Sequence, residues 1–370
     1  MSVMQNPTRV TPAELRERVA RLPRIPFAFT PTPLEETPKL RAALGSDMPR
    51  ILIKRDDLTG FAFGGNKVRA LEFRMAHVLA NGYDAFVLVN IGQSNHARLH
   101  AAACVRLGIK MVIVKPGQRD EVAQGNLLLD RILGVDVVET GTTNPQELES
   151  ALDDVLADLR SQGYKPFAST REPFSELAGT IGFSEAAIEL SDQLHAIGAE
   201  RTHVFLVGGT SSAGLALGGK LLGSPYRVHA VNVSGPHADL RNRIVSLAGR
   251  VADILGVAPV IGPEDFDVHD DYVGDRYGHA SPATLEAIRL TARTDAIFLD
   301  PVYSGKAMSG LIGELRKGRF SPDETVVFVH TGGVPIIFAY HDQLKDLEFV
   351  RRDPKGNDTR ARGAPTSSRE

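Results

Sequence analysis

The run Ala85-Phe86-Val87-Leu88-Val89, continued by Asn90-Ile91-Gly92-Gln93-Ser94-Asn95-His96, decides the fold. Five consecutive apolar residues bounded by polar ones read as a strand buried on both faces. Ser94 and Asn95 are capping residues and Gly108 is a stop signal, so residues 95–107 read as a helix. The unit recurs in both directions. Downstream come a strand at 110–114, a helix at 121–133 ended by Gly134, a strand at 135–138 and an amphipathic helix at 145–162. A polar passage over 169–176 precedes another helix. Strands then follow at 203–207, 226–233, 297–300 and 325–330, with helices at 239–255, 282–294 and 305–318. Upstream, the β-rich residues 50–57 lead into Phe63-Gly64-Gly65-Asn66-Lys67-Val68-Arg69, and a helical pattern begins at Val68. Thr11-Pro12-Ala13-Glu14 is a capping box opening a short helix through Leu22. The prolines between 23 and 38 predict an extended segment without regular structure. Such alternation argues for an α/β architecture with parallel sheets. Residues 351–370 are polar and aperiodic, and disorder is expected there.

Composition bounds the function. Hydrophobic residues make up 42% and charged residues 24% of 370, ordinary for a globular protein with a sizeable core. The net charge of −3 comes from 42 basic and 45 acidic residues, well mixed, which gives no nucleic-acid patch. No apolar run is long enough to span a membrane, and the N-terminus lacks a basic region followed by an apolar one. Cys104 is the only cysteine, so a reducing, cytoplasmic setting is expected, with Cys104 as a core residue. The eleven histidines are scattered and show no metal-ligand spacing, so no metal is expected.

The chemistry sits in the loops. In 63–69 two glycines let the backbone approach a ligand closely, and Lys67 stands where the turn meets a helix. On these residues alone it is either a solvated surface lysine or a partly desolvated nucleophilic amine. Val207-Gly208-Gly209-Thr210-Ser211-Ser212-Ala213-Gly214 follows a strand and opens a helix, the layout of a phosphate cradle or of an ordinary connecting loop. Gly214 to Lys220 has nucleotide P-loop spacing, but Leu221 occupies the metal-binding Ser/Thr position, which rules that reading out. Gln93-Ser94-Asn95-His96, Asp300-Pro301-Val302-Tyr303-Ser304-Gly305-Lys306 and His330-Thr331-Gly332-Gly333 add further polar loops at expected strand ends, where α/β sheets bind ligands.

Together these segments resemble the pyridoxal-phosphate enzymes of the 1-aminocyclopropane-1-carboxylate (ACC) deaminase and D-cysteine desulfhydrase family. Ile53-Lys54-Arg55-Asp56-Asp57, Gly125-Asn126-Leu127-Leu128-Leu129-Asp130 and Tyr277-Gly278 belong to the same ordered set, which runs from about residue 27 to 345. The resemblance implies a two-domain, tryptophan-synthase-β-like (fold type II) enzyme. Residues 1–68 and 179–350 would form the larger domain and 69–178 the smaller. It implies pyridoxal 5'-phosphate held covalently on Lys67, supported by Asn66. Asn95 would meet the cofactor's phenolic oxygen, Gly208, Gly209, Thr210, Ser211 and Ser212 its phosphate, and Ser304 its ring nitrogen. Gln93, Ser94, Asn95 and His96 would face the substrate, with Ser94, Tyr277 and Tyr303 joining Lys67 in catalysis. A homodimer acting on a small amino acid is also implied.

Ser304 bears on which reaction. ACC deaminases carry an acidic residue at the matching position and desulfhydrases a hydroxyl one, so the resemblance leans to β-elimination from D-cysteine or a similar amino acid, giving a keto acid and ammonia. ACC deamination, turnover of an acidic analogue such as cysteate, and cofactor binding without turnover are the alternatives. Two stretches depart from the pattern. Residues 208–212 lack the usual Gly-Thr-His order, and 169–176 lacks the desulfhydrase Gly-Gly-Ser-Asn-like segment. In the latter, Arg171 and Glu176 are expected on the substrate side, with Arg171 either pairing with a second acidic group or simply facing solvent.

Overall fold

The computed structural model describes residues 8–90, 92–117, 122–235 and 239–344. The 351–370 tail lies outside the described residues. The chain opens with α1 (Pro12–Ala20), capped by Thr11 and Glu14 as the capping box predicts. Strand β1 (Leu34–Glu36), helix α2 (Pro38–Leu44) and β2 (Arg50–Lys54) follow, then α3 (Lys67–Ala80). Next come β3 (Ala85–Val89), α4 (Asn95–Leu107), β4 (Lys110–Lys115), α5 (Gly125–Ile132), β5 (Asp136–Glu139), α6 (Pro145–Ser161) and β6 (Pro166–Ala168). The remainder is α7 (Phe174–Ala196), β7 (Thr202–Val207), α8 (Thr210–Leu222), β8 (Tyr226–Val231), α9 (Leu240–Leu255), β9 (Phe266–His269), α10 (Pro282–Asp295), α11 (Ser304–Arg316), β10 (Thr325–Val329) and α12 (His341–Leu344).

The strands form two sheets, ordered β1-β2-β10-β7-β8-β9 and β5-β4-β3-β6. Every pairing is parallel except β1 with β2, at the edge of the larger sheet. Parallel strands need both faces covered, and separate apolar clusters lie against each sheet. Helices α7 and α8 cross the face of the larger sheet in close contact. A Cβ at Gly214 would lie 2.4 Å from the Thr180 carbonyl oxygen, so glycine sets that approach. No described helix is long and apolar enough to cross a membrane.

Several expectations need correction. Residues 297–300 form no strand. Ile297 and Leu299 point inward and Phe298 outward, the alternation of a strand, but β10 already lies between β2 and β7 and leaves no edge there. The proline-rich 23–38 segment does contain regular structure, since the proline-free Leu34–Glu36 between Pro33 and Pro38 pairs with β2 at the sheet edge. The helix expected from 121 begins at Gly125. Strands β6 and β9 and helix α2 carried no sequence signal we read. Each is short, and pairing with β3 or β8 supplies what β6 and β9 lack in local pattern.

Candidate active site

The glycine turn before α3 is held from three directions. The Gly65 N–H donates to the Asp56 carbonyl at 3.1 Å and to Thr59 Oγ1 at 2.8 Å. The Asn66 N–H donates to the Thr331 carbonyl at 3.1 Å, joining this turn to the loop after β10. From α4, the buried Arg98 donates to the Ala62 carbonyl. Gly64 has φ 61° and ψ −168°, a region that is essentially glycine's alone, and a Cβ there would meet the Asp57 carbonyl oxygen at 2.1 Å.

Two residues into α3, Arg69 fixes the helix start. Its guanidinium meets Asp56 at 2.8 Å and Glu189 of α7 at 3.1 Å, all buried or nearly so. Burial opposes the charge on Asp56, but the adjacent Arg69 holds the carboxyl below its usual range. Lys54 also pairs with Glu189. Lys67 therefore springs from a rigid first turn.

Lys67 opens into a cleft of about 610 Å³ between the two sheets' loops. Asn66, Arg74, His96, residues 169–173, Ser175, Glu176, residues 207–211, Arg243 and Tyr303 share its lining. Burial, and then the cations Arg74 and Arg98, pull the Lys67 amine down to about 8, against Asp300. A lysine so placed is a usable nucleophile and base near neutral pH. Its Nζ lies 5.7 Å from the centre of the Tyr303 ring. The Tyr303 hydroxyl is hydrogen-bonded to that of Tyr277, and burial raises both phenols, so both stay protonated, one O–H donating to the other hydroxyl and the second left to donate elsewhere.

Across the cleft, Gly208 and Gly209 follow β7 and Thr210 begins α8, whose first N–H groups have no partner within the helix. The Asn66 amide donates to Ser211 Oγ at 2.8 Å, tying this loop to the Lys67 turn. Ser212 is spent on its own helix end, accepting from the Gly209 N–H and donating to the Gly209 carbonyl, both at 2.9 Å. A buried amine facing an uncharged N–H and hydroxyl cradle is the donor set that an aldehyde bearing a phosphate requires. The residues present fit pyridoxal phosphate.

The model of the pyridoxal-phosphate dependent enzyme family matches residues 25–332. The chain belongs to that family. The D-cysteine desulfhydrase of Klebsiella pneumoniae (strain 342) is 36% identical over 336 residues, covering 89% of this chain and 99% of the relative. The 1-aminocyclopropane-1-carboxylate deaminase of Burkholderia vietnamiensis (strain G4 / LMG 22486) is 33% identical, covering 88% and 98%. A crystal structure of an ACC deaminase homologue superposes with a TM-score of 0.80 at 30% identity, covering 90% of this chain and 99% of that one. The tomato threonine deaminase isoform 2, at 21% identity and a TM-score of 0.60, shares the fold. These likenesses bear out the expected α/β fold type II architecture of this pyridoxal-phosphate enzyme.

The remaining expected site residues divide by location. Ser94 caps α4, accepting from the Ala97 N–H at 3.1 Å. The Asn95 side-chain oxygen accepts from Asn126 at 2.9 Å. The Gln93 amide spans the gap to α5, donating to the Gln124 carbonyl at 2.9 Å and accepting from the Asn126 N–H at 3.1 Å. None of these three is among the residues lining the cleft, whereas His96 is. Burial, then His100, holds His96 well below its usual value, so its ring is neutral. Ser304 is fully buried and donates to Asp300 Oδ2 at 2.6 Å. Arg171 and Glu176 stand at the rim. Arg171 pairs with Glu149 and, at 2.8 Å, with Asp153, while Glu176 pairs with Arg243 at 2.6 Å. Sequence reasoning missed Arg74. Its spacing of seven from Lys67, which puts both on one helix face, was the signal available. Cys104 is buried, its thiol pushed up to about 12 by burial, as suits a core residue.

Proposed function

We propose that this chain is a deaminating lyase that removes a Cβ leaving group from D-cysteine or a similar small amino acid. When bound, pyridoxal phosphate supplies an electron sink that acidifies the substrate Cα–H. Lys67 holds the cofactor and, once displaced by the substrate amine, is a free base at the foot of the cleft, able to take the Cα proton. The value of about 8 suits both tasks near neutral pH. Tyr303, protonated and beside Lys67, is placed to assist the departing group, with Tyr277 hydrogen-bonded behind it. The loop 208–212 with Asn66 orients the phosphate, and Ser94, Asn95 and Gln93, whose side chains hold the α4 start and its link to α5 beside the cleft, would have to turn toward it to meet the substrate carboxylate.

Ser304 carries the choice of reaction. Its hydroxyl is committed to Asp300, and Asp300 is itself saturated, accepting from the N–H groups of Val302 at 2.8 Å, Tyr303 at 2.7 Å and Ser304 at 3.0 Å. That position therefore offers no free acid to hold a proton on the ring nitrogen. Such a ring suffices when a thiolate leaves readily, and the likeness to D-cysteine desulfhydrases agrees. The same reading takes residues 69–178 as the smaller domain and the chain as a cytoplasmic homodimer, for which exposed Phe63, Phe298 and Phe338 supply apolar surface.

The test is a panel of D- and L-cysteine, 3-chloroalanine, serine, cysteate and ACC, assayed for keto acid. The expected result is pyruvate from D-cysteine and 3-chloroalanine. Keto acid from ACC with none from D-cysteine would refute the proposal.

A further inference from the structure

Arg74 is a buried cation of the cleft that depresses the Lys67 amine but has been given no ligand of its own. It follows Lys67 by about two helical turns, so the two side chains leave the same face of α3, and both line the cleft. Only 5% of Arg74 is exposed. Arg69 of the same helix meets two carboxylates, but among the described residues no carboxylate lies within ion-pair distance of Arg74. Its partners are neutral. His100 Nδ1 donates to the His96 carbonyl at 2.6 Å, which leaves Nε2 to accept from Arg74 Nη1 at 2.7 Å. Nη2 donates to the Ser175 carbonyl, and Nε has no partner. Glu176, beside Ser175, is turned to Arg243. Glu176 offsets the charge only at a distance, and a desolvated guanidinium without a paired counter-ion is costly unless an anion enters the cleft.

The packing brings Arg74 and the loop 208–212 against the same turn of α7. Ser175 lies one turn before Gly179 on α7, and a Cβ at Gly179 would lie 2.6 Å from Thr210 Oγ1. One turn of α7 thus touches Arg74 at one end and the loop 208–212 at the other. That loop offers N–H and hydroxyl donors but no charge, so a dianion there remains under-neutralised.

We propose that Arg74 is the counter-cation for the phosphate monoester seated at residues 208–212, a proposal resting on the reading of that loop as the phosphate site. A guanidinium fork suits phosphate oxygens better than an ammonium does.

The apoprotein is titrated with pyridoxal phosphate and, separately, with pyridoxal, following absorbance, for wild type, Arg74→Met and Arg74→Lys. Arg74→Met should weaken pyridoxal phosphate binding by about tenfold or more beyond whatever loss the raised Lys67 amine causes for pyridoxal, with Arg74→Lys between. Equal losses for both ligands, or none for either, would overturn the proposal. A footprint on the wild-type apoprotein needs no variant and decides the matter if the variants fail to fold. Inorganic phosphate should protect Arg74 from an arginine-selective dicarbonyl reagent, read by mass spectrometry, where chloride at equal ionic strength does not. Protection by acetate and not by phosphate would assign Arg74 to a substrate carboxylate and overturn the proposal. Wild type that binds neither pyridoxal compound would remove the cofactor-site reading and this proposal together. Tight phosphate-dependent binding indifferent to Arg74 would remove this proposal alone.

Discussion

The Lys67 amine should titrate far below an ordinary lysine, and its titration can be followed without cofactor or substrate. Burial penalises the ammonium form, and the positive charges of Arg74 and Arg98 penalise it further, bringing it from 10.5 to about 8. At pH 7 the free-amine fraction is then about one in ten, against about one in 3,000 for an unperturbed lysine, a gain of about 300-fold. The sign follows from the cationic acid: depression favours the deprotonated form, so reactivity rises with pH up to about 8 and levels off above it. The assay is acetylation of the apoprotein by limiting reagent, with the Lys67 peptide quantified by mass spectrometry across the pH range. Arg74→Met removes one of the two cations and should move the inflection upward. It should stop short of the ordinary value, because burial is the larger cause. A wild-type inflection near 10, or one that Arg74→Met leaves in place, would refute this electrostatic account.

Gly64→Ala puts a Cβ 2.1 Å from the Asp57 carbonyl in a glycine-only backbone region, so the turn must shift. It should retain the circular dichroism of the wild type but lose most of its bound cofactor colour, the strain being about 1–3 kcal/mol. Arg69→Met leaves the buried Asp56 without its main counter-charge and should cost about 3–5 kcal/mol in denaturant unfolding. Because the folded Asp56 value is lowered, its contribution is present above the ordinary carboxylate range and lost as pH falls through the depressed value. The acid limb of the stability profile should therefore flatten in that variant. Ser304→Ala removes the 2.6 Å bond to Asp300 and the acceptor for the Asp300 N–H, and should lower stability by about 1–3 kcal/mol in the same assay.

Legibility in the sequence followed how local each signal is. Strand β3 and helix α4 were readable because an apolar run, a Ser94 cap and a Gly108 stop lie within one short segment. Strand β6, three residues beginning with a proline, exists because β3 offers it an edge, and no window of sequence contains that fact. Residues 297–300 erred the other way, alternating as a strand does in a place where the sheet has no free edge. At the site, Lys67 was legible from the glycine turn and Ser211 from its loop, but their link through Asn66 joins residues 145 apart in the chain. The rim arginine Arg171 drew attention because its segment departs from the family pattern, yet its charge is met by Glu149 and Asp153. Nothing in the local sequence around Arg74 marks it out. Only packing reveals that it faces inward with, among the described residues, no acid within ion-pair distance.

The central claim is that Lys67 carries the cofactor in this cleft. Borohydride reduction of the purified holoprotein, followed by peptide mapping, tests it most directly. The account predicts a yellow protein bleached by borohydride, with the pyridoxyl mass fixed on Lys67 and lost in Lys67→Ala. A protein that takes up no colour from added pyridoxal phosphate, or a label on Lys54 or Lys306 in place of Lys67, would contradict it.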